Sequence, residues 1–340
     1  MRDVSLKTLK VLVFACAAVF ITASTSEAFI FQERITTSKS LAHYAMGQIY
    51  DLLGSTNRAA LEYTKAAEYD PTSYLIHLRL GADYARLGML DHAEQELKLV
   101  QKYNNEDLQS HYLLALIYST KKDYDKAAIE YEHILKSFSQ AEPQNIEIHG
   151  YLAQLYYSQR KYQQAINQFE KIIEIEPHNA DVLYLLGSLY LEVNNIDRSI
   201  QLLKSALEID PKHDGSLNTL GYIYADTGQN LDEAFDLIQS ALELSPENGA
   251  YLDSLGWVYY KKGKYKKALD VFKKADQLTK DPVIYDHIGD VYYKLNDYEQ
   301  ALQNWELSLE LLPDQKEVIN KIDALKSIQA SRTTSTEDKM

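Results

Sequence analysis

Small and apolar residues return along this chain with a period near 34. Gly47, Gly81, Ala115, Ala153, Gly187, Gly221, Gly256 and Gly289 follow one another at intervals of 34, 34, 38, 34, 34, 35 and 33. A tyrosine stands three residues after each: Tyr50, Tyr84, Tyr118, Tyr156, Tyr190, Tyr224, Tyr259 and Tyr292. Each unit then carries a second small residue, namely Ala59, Ala93, Ala127, Ala165, Ser199, Ala234, Ala268 and Ala301. Four places on comes a large one: Tyr63, Leu97, Tyr131, Phe169, Leu203, Ile238, Phe272 and Trp305. Steps of three and four keep residues on one face of a helix. Pro71, Pro177, Pro211, Pro246 and Pro313 close most units, Pro282 opens the last, and Pro143 lies in a four-residue insertion after the third. Proline lacks the N–H and restricts the residue before it, so it stops the second helix of a unit. Each unit therefore reads as two antiparallel helices. The first small residue is expected to face the second, which brings the backbones close.

This pattern resembles the tetratricopeptide repeat (TPR), and the resemblance covers Ser40–Gln315, about four-fifths of the chain. It implies an all-α, right-handed superhelical solenoid of about eight helix-turn-helix repeats, spanning 40–73, 74–107, 108–145, 146–179, 180–213, 214–248, 249–281 and 282–315. One such unit cannot bury its apolar face alone, so neighbours must stack and the ends need polar covers. Residues 316–330 place Val318, Ile319, Ile322, Leu325 and Ile328 on one helical face and read as a C-terminal capping helix. Residues 29–39 read as a lead-in, and the polar 331–340 as a disordered tail.

The first residues read as an address. A basic stretch, MRDVSLKTLK, precedes the apolar VLVFACAAVFI, and Ser26 and Ala28 stand at the −3 and −1 places of a cleavage site. That is the order of a secretory signal over residues 1–28. The apolar run is too short to cross a bilayer comfortably. Retention as an anchor and lipidation at Cys16, in Val13-Phe14-Ala15-Cys16, are the alternatives. The expected place is outside the cytoplasm, in the periplasm, with membrane association left open. LNTLGYIYADTG and the DSLGW and DHIGD stretches further on resemble exported, cell-envelope TPR scaffold proteins of bacteria.

Composition narrows the chemistry. Net charge is −14, and without residues 1–28, which hold three basic and two acidic residues, it is about −15. An acidic surface argues against nucleic acid and anionic membrane. The one cysteine, Cys16, lies in the N-terminal run, so the repeats have no disulfide or thiolate metal site. His43, His77, His111 and His149 recur in step. Each lies four places into its unit, where the TPR pattern has a bulky aromatic, so packing is expected rather than a metal centre. There is no nucleophile elbow, no phosphate-binding glycine loop and no paired zinc motif. No cofactor and no catalysis are expected.

In TPR proteins the first helix of each repeat lines the inner groove. The resemblance places Asn218, Tyr222 and Asp226 there in the sixth unit. The seventh gives Asp253, Trp257, Tyr260 and Lys261, and the eighth Asp286, Asp290, Tyr293 and Lys294. Aromatics flanked by acids make anchors for a protein partner, expected to be an extended or basic segment. Trp257 either anchors that partner or packs between repeats. The lysine, asparagine and arginine of the family's carboxylate clamp are not matched at Tyr44, Gln48, Leu78, Arg79, Tyr112 and Leu113. The function that follows is an exported scaffold for protein–protein interaction in assembly or secretion at the bacterial cell envelope. Two alternatives stand beside it. One is recognition of an exported polysaccharide or peptidoglycan strand by stacking on Tyr222, Trp257, Tyr260 and Tyr293. The other is a non-catalytic subunit of an envelope enzyme complex.

Overall fold

The computed structural model describes residues 32–337, with side-chain surroundings given as far as residue 329. The N-terminal signal expected at 1–28 lies outside the described residues. All regular structure among them is α-helical, in seventeen helices. The chain divides into two compact units, one reaching to Pro143 and the other starting at Gln144.

The first unit holds α1 (residues 32–52), α2 (Thr56–Tyr69), α3 (Tyr74–Arg86), α4 (Leu90–Tyr103), α5 (Leu108–Thr120) and α6 (Tyr124–Ala141). The second holds α7 (Ile146–Ser158), α8 (Tyr162–Ile175), α9 (Ala180–Glu192), α10 (Ile196–Ile209), α11 (Asp214–Asp226) and α12 (Leu231–Leu244). It continues with α13 (Gly249–Lys261), α14 (Tyr265–Leu278), α15 (Pro282–Lys294), α16 (Tyr298–Leu311) and α17 (Lys316–Glu337).

The second helices of the pairs bury a recurring face. In α14 it is Ala268, Phe272 and Ala275; in α12, Ala234, Ile238 and Ala241; in α4, Ala93, Leu97 and Val100, all of them fully buried. Where the first helix carries a glycine, the large central residue sits on it. A Cβ added to Gly256 would lie 2.6 Å from Cδ1 of Phe272, and one added to Gly221 would lie 2.6 Å from Cγ1 of Ile238. This corrects the expected small-on-small contact. The second small residue does come near, through its backbone: the Ala234 carbonyl oxygen lies 3.0 Å from that same Cβ position on Gly221. The nearest atoms, however, belong to the large side chain. The glycine is a socket, and the alanine four residues before the plug lets the helices close on it.

The core is a row of linked clusters. One joins Leu203, Leu220, Ile223, Ile238, Leu255 and Val258 across α10 to α13; the next joins Phe272, Ile284, Ile288 and Val291 across α14 and α15. The turns inside the pairs close on left-handed residues. These are Gly54, Gly88, Gly228 and Gly263, with Asn194, Asn230 and Asn296, but also Lys122 and Arg160, long side chains that this conformation disfavours.

Four departures from the expected layout have physical causes. The four-residue insertion is taken up as helix: α6 runs 18 residues where α4 runs 14, about one extra turn. Helix α1 is already formed at residue 32, inside the stretch expected as a lead-in, because no glycine or proline interrupts residues 32–46. Helix α17 continues to Glu337, through most of the expected disordered tail, since residues 316–337 also lack both breakers. It packs Val318, Ile322 and Leu325 on Trp305 and Ala301. Ile319 and Ile328 stay 38 % and 40 % exposed, so the buried stripe is narrower than five residues.

Two substitutions test the plug and socket. Gly256→Ala forces the Phe272 ring to move, and overpacking of this kind costs roughly 1–3 kcal/mol. Ser199 stands where every other unit has alanine, and its hydroxyl is buried without a hydrogen bond. Ser199→Ala removes that unpaired group and raises stability by about 1 kcal/mol. Chemical denaturation of the two variants should move the midpoint in opposite directions; a destabilised Ser199→Ala would mean the hydroxyl has a partner.

Candidate functional site

The expected groove residues lie on α11, α13 and α15, the first helices of three successive pairs in the second unit. Each faces the next, and the acids find cations on the helix that follows. The Nζ of Lys261 donates to the Asp226 carbonyl oxygen at 2.7 Å and lies 3.6 Å from its carboxylate. Nδ1 of His287 meets Oδ1 of Asp253 at 2.9 Å, with both residues buried. Lys321 of α17 donates to Asp286 at 2.7 Å and to Asp290 at 2.9 Å. The result is a ladder of acid–base rungs between neighbouring helices. The acids expected to attract a basic partner are paired with cations of this chain.

The aromatics are built into the same ladder. Trp257 donates from Nε1 to Asp226 at 3.2 Å. Its ring stacks on Tyr260 at 4.8 Å and on His287 at 4.3 Å, and Lys261 lies 5.1 Å from its centroid. Trp257 thus packs between repeats. Burial, with the charges of Asp226 and Asp253, pushes the Tyr222 hydroxyl up to about 12. Burial and the Asp290 carboxylate likewise raise Tyr260. Both hydroxyls therefore stay protonated near neutral pH and keep a proton to donate. Beside Tyr222 in α11, the side-chain oxygen of Asn218 is buried without a hydrogen bond.

Four of the eleven residues do enclose space. Tyr260, Asp290, Tyr293 and Lys294 line a cavity of about 310 Å³ with Trp305 and Lys321. Trp305 donates to Asp290 at 3.1 Å across its wall. Lys294 is exposed at its edge. Lys321 and Trp305 were missing from the expected set. The signal for Lys321 was present: it stands 35 residues after Asp286, as Lys261 stands 35 after Asp226, and His287 stands 34 after Asp253. An acid in one repeat is answered by a base at the matching place of the next.

The recurring histidines tie the two helices of a pair together. His43 meets Glu62 at 2.7 Å, His77 meets Glu96 at 2.6 Å, His111 meets Glu130 at 2.5 Å and His149 meets Gln168 at 2.8 Å. The other nitrogen of His77 donates to the Pro71 carbonyl at 2.9 Å. With an acceptor at each nitrogen, that ring favours its protonated form. Burial works against this, but Glu96 and Pro71 outweigh it and raise His77 above its ordinary value. Among the described residues no group of three or more histidine, cysteine or acidic side chains is arranged to hold a metal ion, and no helix is long and apolar enough to cross a membrane.

Family models for the tetratricopeptide repeat match residues 157–220 and, in a second form, residues 41–73 and 108–139. With the helix pairs described above, these matches decide the family. The chain is a tetratricopeptide-repeat protein. A model described as anaphase-promoting complex, cyclosome, subunit 3 matches residues 228–306 of this TPR protein. Among solved structures, it is similar to a tetratricopeptide repeat protein from Parabacteroides merdae, with 21 % identity and a TM-score of 0.54 over 74 % of this chain and 98 % of that one. It is also similar to a chain of the APC/C hetero-tetramer Cut9–Hcn1, with 17 % identity and a TM-score of 0.53 over 82 % of this chain. That match spans about half of the other chain, 54 %. These likenesses are of fold. No curated protein matches the sequence.

The ladder makes the stability of this TPR protein fall as pH rises. Burial alone would lower His287, but Asp253, with Asp286 and Asp290, raises it above 6.5. A raised histidine stabilises the fold fully below its unfolded value and loses that contribution as pH climbs through the folded value. Asp290 is raised by burial and by Asp286, against the pull of Lys321. Its folded state therefore binds a proton more tightly than its unfolded state, so it acts in the same direction. Thermal melts of the full chain should show Tm dropping as pH rises above 6.5, with a smaller drop in His287→Gln. Equal slopes for the two proteins would place the titration elsewhere.

Proposed function

We propose that this TPR protein is an exported, non-catalytic scaffold that holds an extended segment of an envelope protein, in assembly or secretion at the bacterial cell envelope. TPR repeats serve protein–protein interaction, and the finer reading rests on two features. Residues 1–28 have the order of a secretory signal with a cut after Ala28. The cavity bounded by Tyr260, Asp290, Tyr293 and Lys294 carries the binding part of the proposal. It offers aromatic walls, a half-buried carboxylate and an exposed lysine, the mixture that anchors and orients a peptide.

The paired acids refine the partner. With Asp253, Asp286 and Asp290 already answered by His287 and Lys321, the cavity suits an apolar or aromatic side chain with a carbonyl or carboxylate near Lys294, rather than a wholly basic segment. A sugar strand is the weaker occupant, because the Trp257 ring already stacks on Tyr260 and His287.

Two measurements test the proposal. The intact mass of the protein purified from its own cells should begin at Phe29; a mass with Met1 retained, or an acylated Cys16, replaces the soluble exported form with an anchored one. A photo-reactive residue at position 293 should crosslink one discrete envelope protein in living cells, and Tyr260→Ala should cut the yield about tenfold, a loss of about 1.4 kcal/mol of binding. No adduct at 293, or one unchanged by Tyr260→Ala, removes the binding part.

A further inference from the structure

One opening in the second unit lies away from the ladder, between α7, α8 and α9. Its volume is about 620 Å³. Gly150 is part of its lining. At the fifth place of a first helix the preceding and following repeats carry Leu78, Tyr112 and Tyr184; the fourth carries no side chain. Glycine inside a helix is destabilising relative to alanine, so its presence there needs a reason. In the glycines of the sockets the reason is contact: Gly187 is covered by Leu203 at 3.1 Å. At Gly150 a Cβ would meet nothing within 4 Å. Packing does not require this glycine, and open space replaces the missing side chain.

The space has the chemistry of a binding slot. Phe169, at 9 % exposure, Ile172 and Leu189 line its apolar interior. Tyr157 and Leu185 also line it and stay 50 % and 42 % exposed, uncovered by any part of the described chain. The two charged residues of the lining, Glu147 and Glu192, are exposed acids that carry no ion pair among the described residues. No lysine, arginine or histidine lines it. This is the reverse of the ladder, where the acids are answered internally. A volume of this size with apolar walls and few polar groups is typical of a ligand pocket.

We infer that the Gly150 slot is a second binding subsite, which takes a large apolar side chain of an extended peptide whose neighbouring residue is lysine or arginine. The apolar side chain enters the space left by Gly150, and the cation meets Glu147 or Glu192. The unanswered rim acids favour this occupant over an acyl chain with an anionic head, which the same carboxylates would repel. The inference rests on the reading of this protein as a binder of extended segments, but it concerns a different place on the second unit from the cavity at Tyr293.

The probe is a random-peptide display library panned on the purified full chain. The expected selection is enriched in a large apolar residue next to lysine or arginine. A synthetic peptide from it should bind at least about tenfold more weakly to Gly150→Phe, which fills the slot. Gly150→Ala adds a methyl into open space and should bind nearly as the parent does, with an unchanged or higher Tm. If Gly150→Phe fails to fold, Glu147→Lys with Glu192→Lys serves instead, and should reverse the charge preference of the selection. Peptides without apolar–basic enrichment, or binding indifferent to both sets of variants, overturn the subsite. Displacement of the peptide by laurate but by no competing peptide overturns the occupant. The crosslink from position 293, repeated in Gly150→Phe cells, separates the two readings. A surviving 293 adduct with no peptide selection sinks the subsite alone, and loss of the adduct in the parent protein sinks the scaffold reading.

Discussion

The structure depends on one contact repeated along the chain: a large side chain of a second helix pressed onto the bare backbone of the first. Phe272 on Gly256, Ile238 on Gly221, Leu203 on Gly187 and Leu97 on Gly81 are the same contact in different sizes. A glycine there removes the Cβ that would hold the helices apart, and the plug then fills the gap to native density. The plugs vary from leucine to tryptophan, so the contact is defined by the socket and not by the plug. Each socket also places the next surface for stacking: Phe272 sits in the cluster that buries Ile284 and Ile288 of α15. The closing helix α17 ends the row by covering Trp305, the last plug, with Ile322 and Leu325.

Most of the fold was legible in the sequence because the sockets, plugs and closing prolines recur in register. A period of 34 with steps of three and four has one reading, pairs of helices. What was not legible concerns helix length. Four extra residues near Pro143 could have been a loop, but they fit one more turn of α6, and no breaker stands before Ala141. The polar residues after Ile328 read as tail because no apolar residue recurs among them; the helix continues because no glycine or proline stops it. Periodicity reports which faces are buried, and it is silent about helix that has no buried face.

The candidate groove was legible in position but not in state. Reading one repeat at a time found the acids Asp226, Asp253, Asp286 and Asp290 and made them look available. Their partners lie in the following repeat, 31 to 35 residues on, where Lys261, His287 and Lys321 answer them. In a stacked repeat the nearest neighbour in space of a groove residue is its equivalent one period away. Charge read across the period, not along the helix, would have separated the ladder from the free acids. Trp257 was drawn into the ladder for the same reason: its stacking partner His287 belongs to the next first helix.

Glycine shows how the same residue can carry two opposite messages. In the sockets a side chain is excluded by what is there, since a Cβ on Gly256 would collide with a ring. At Gly150 a side chain is absent although nothing excludes it. The first kind lowers helix propensity and regains the loss through packing against the plug. The second gives up about 0.5–1 kcal/mol relative to alanine with no internal contact in return. A fold optimised for its own stability would have put alanine, or the tyrosine of the next repeat, at that place. The imbalance is resolved if the return comes from something outside the chain, and the exposed Tyr157 and Leu185 beside the gap are surfaces on which such a partner would recover it.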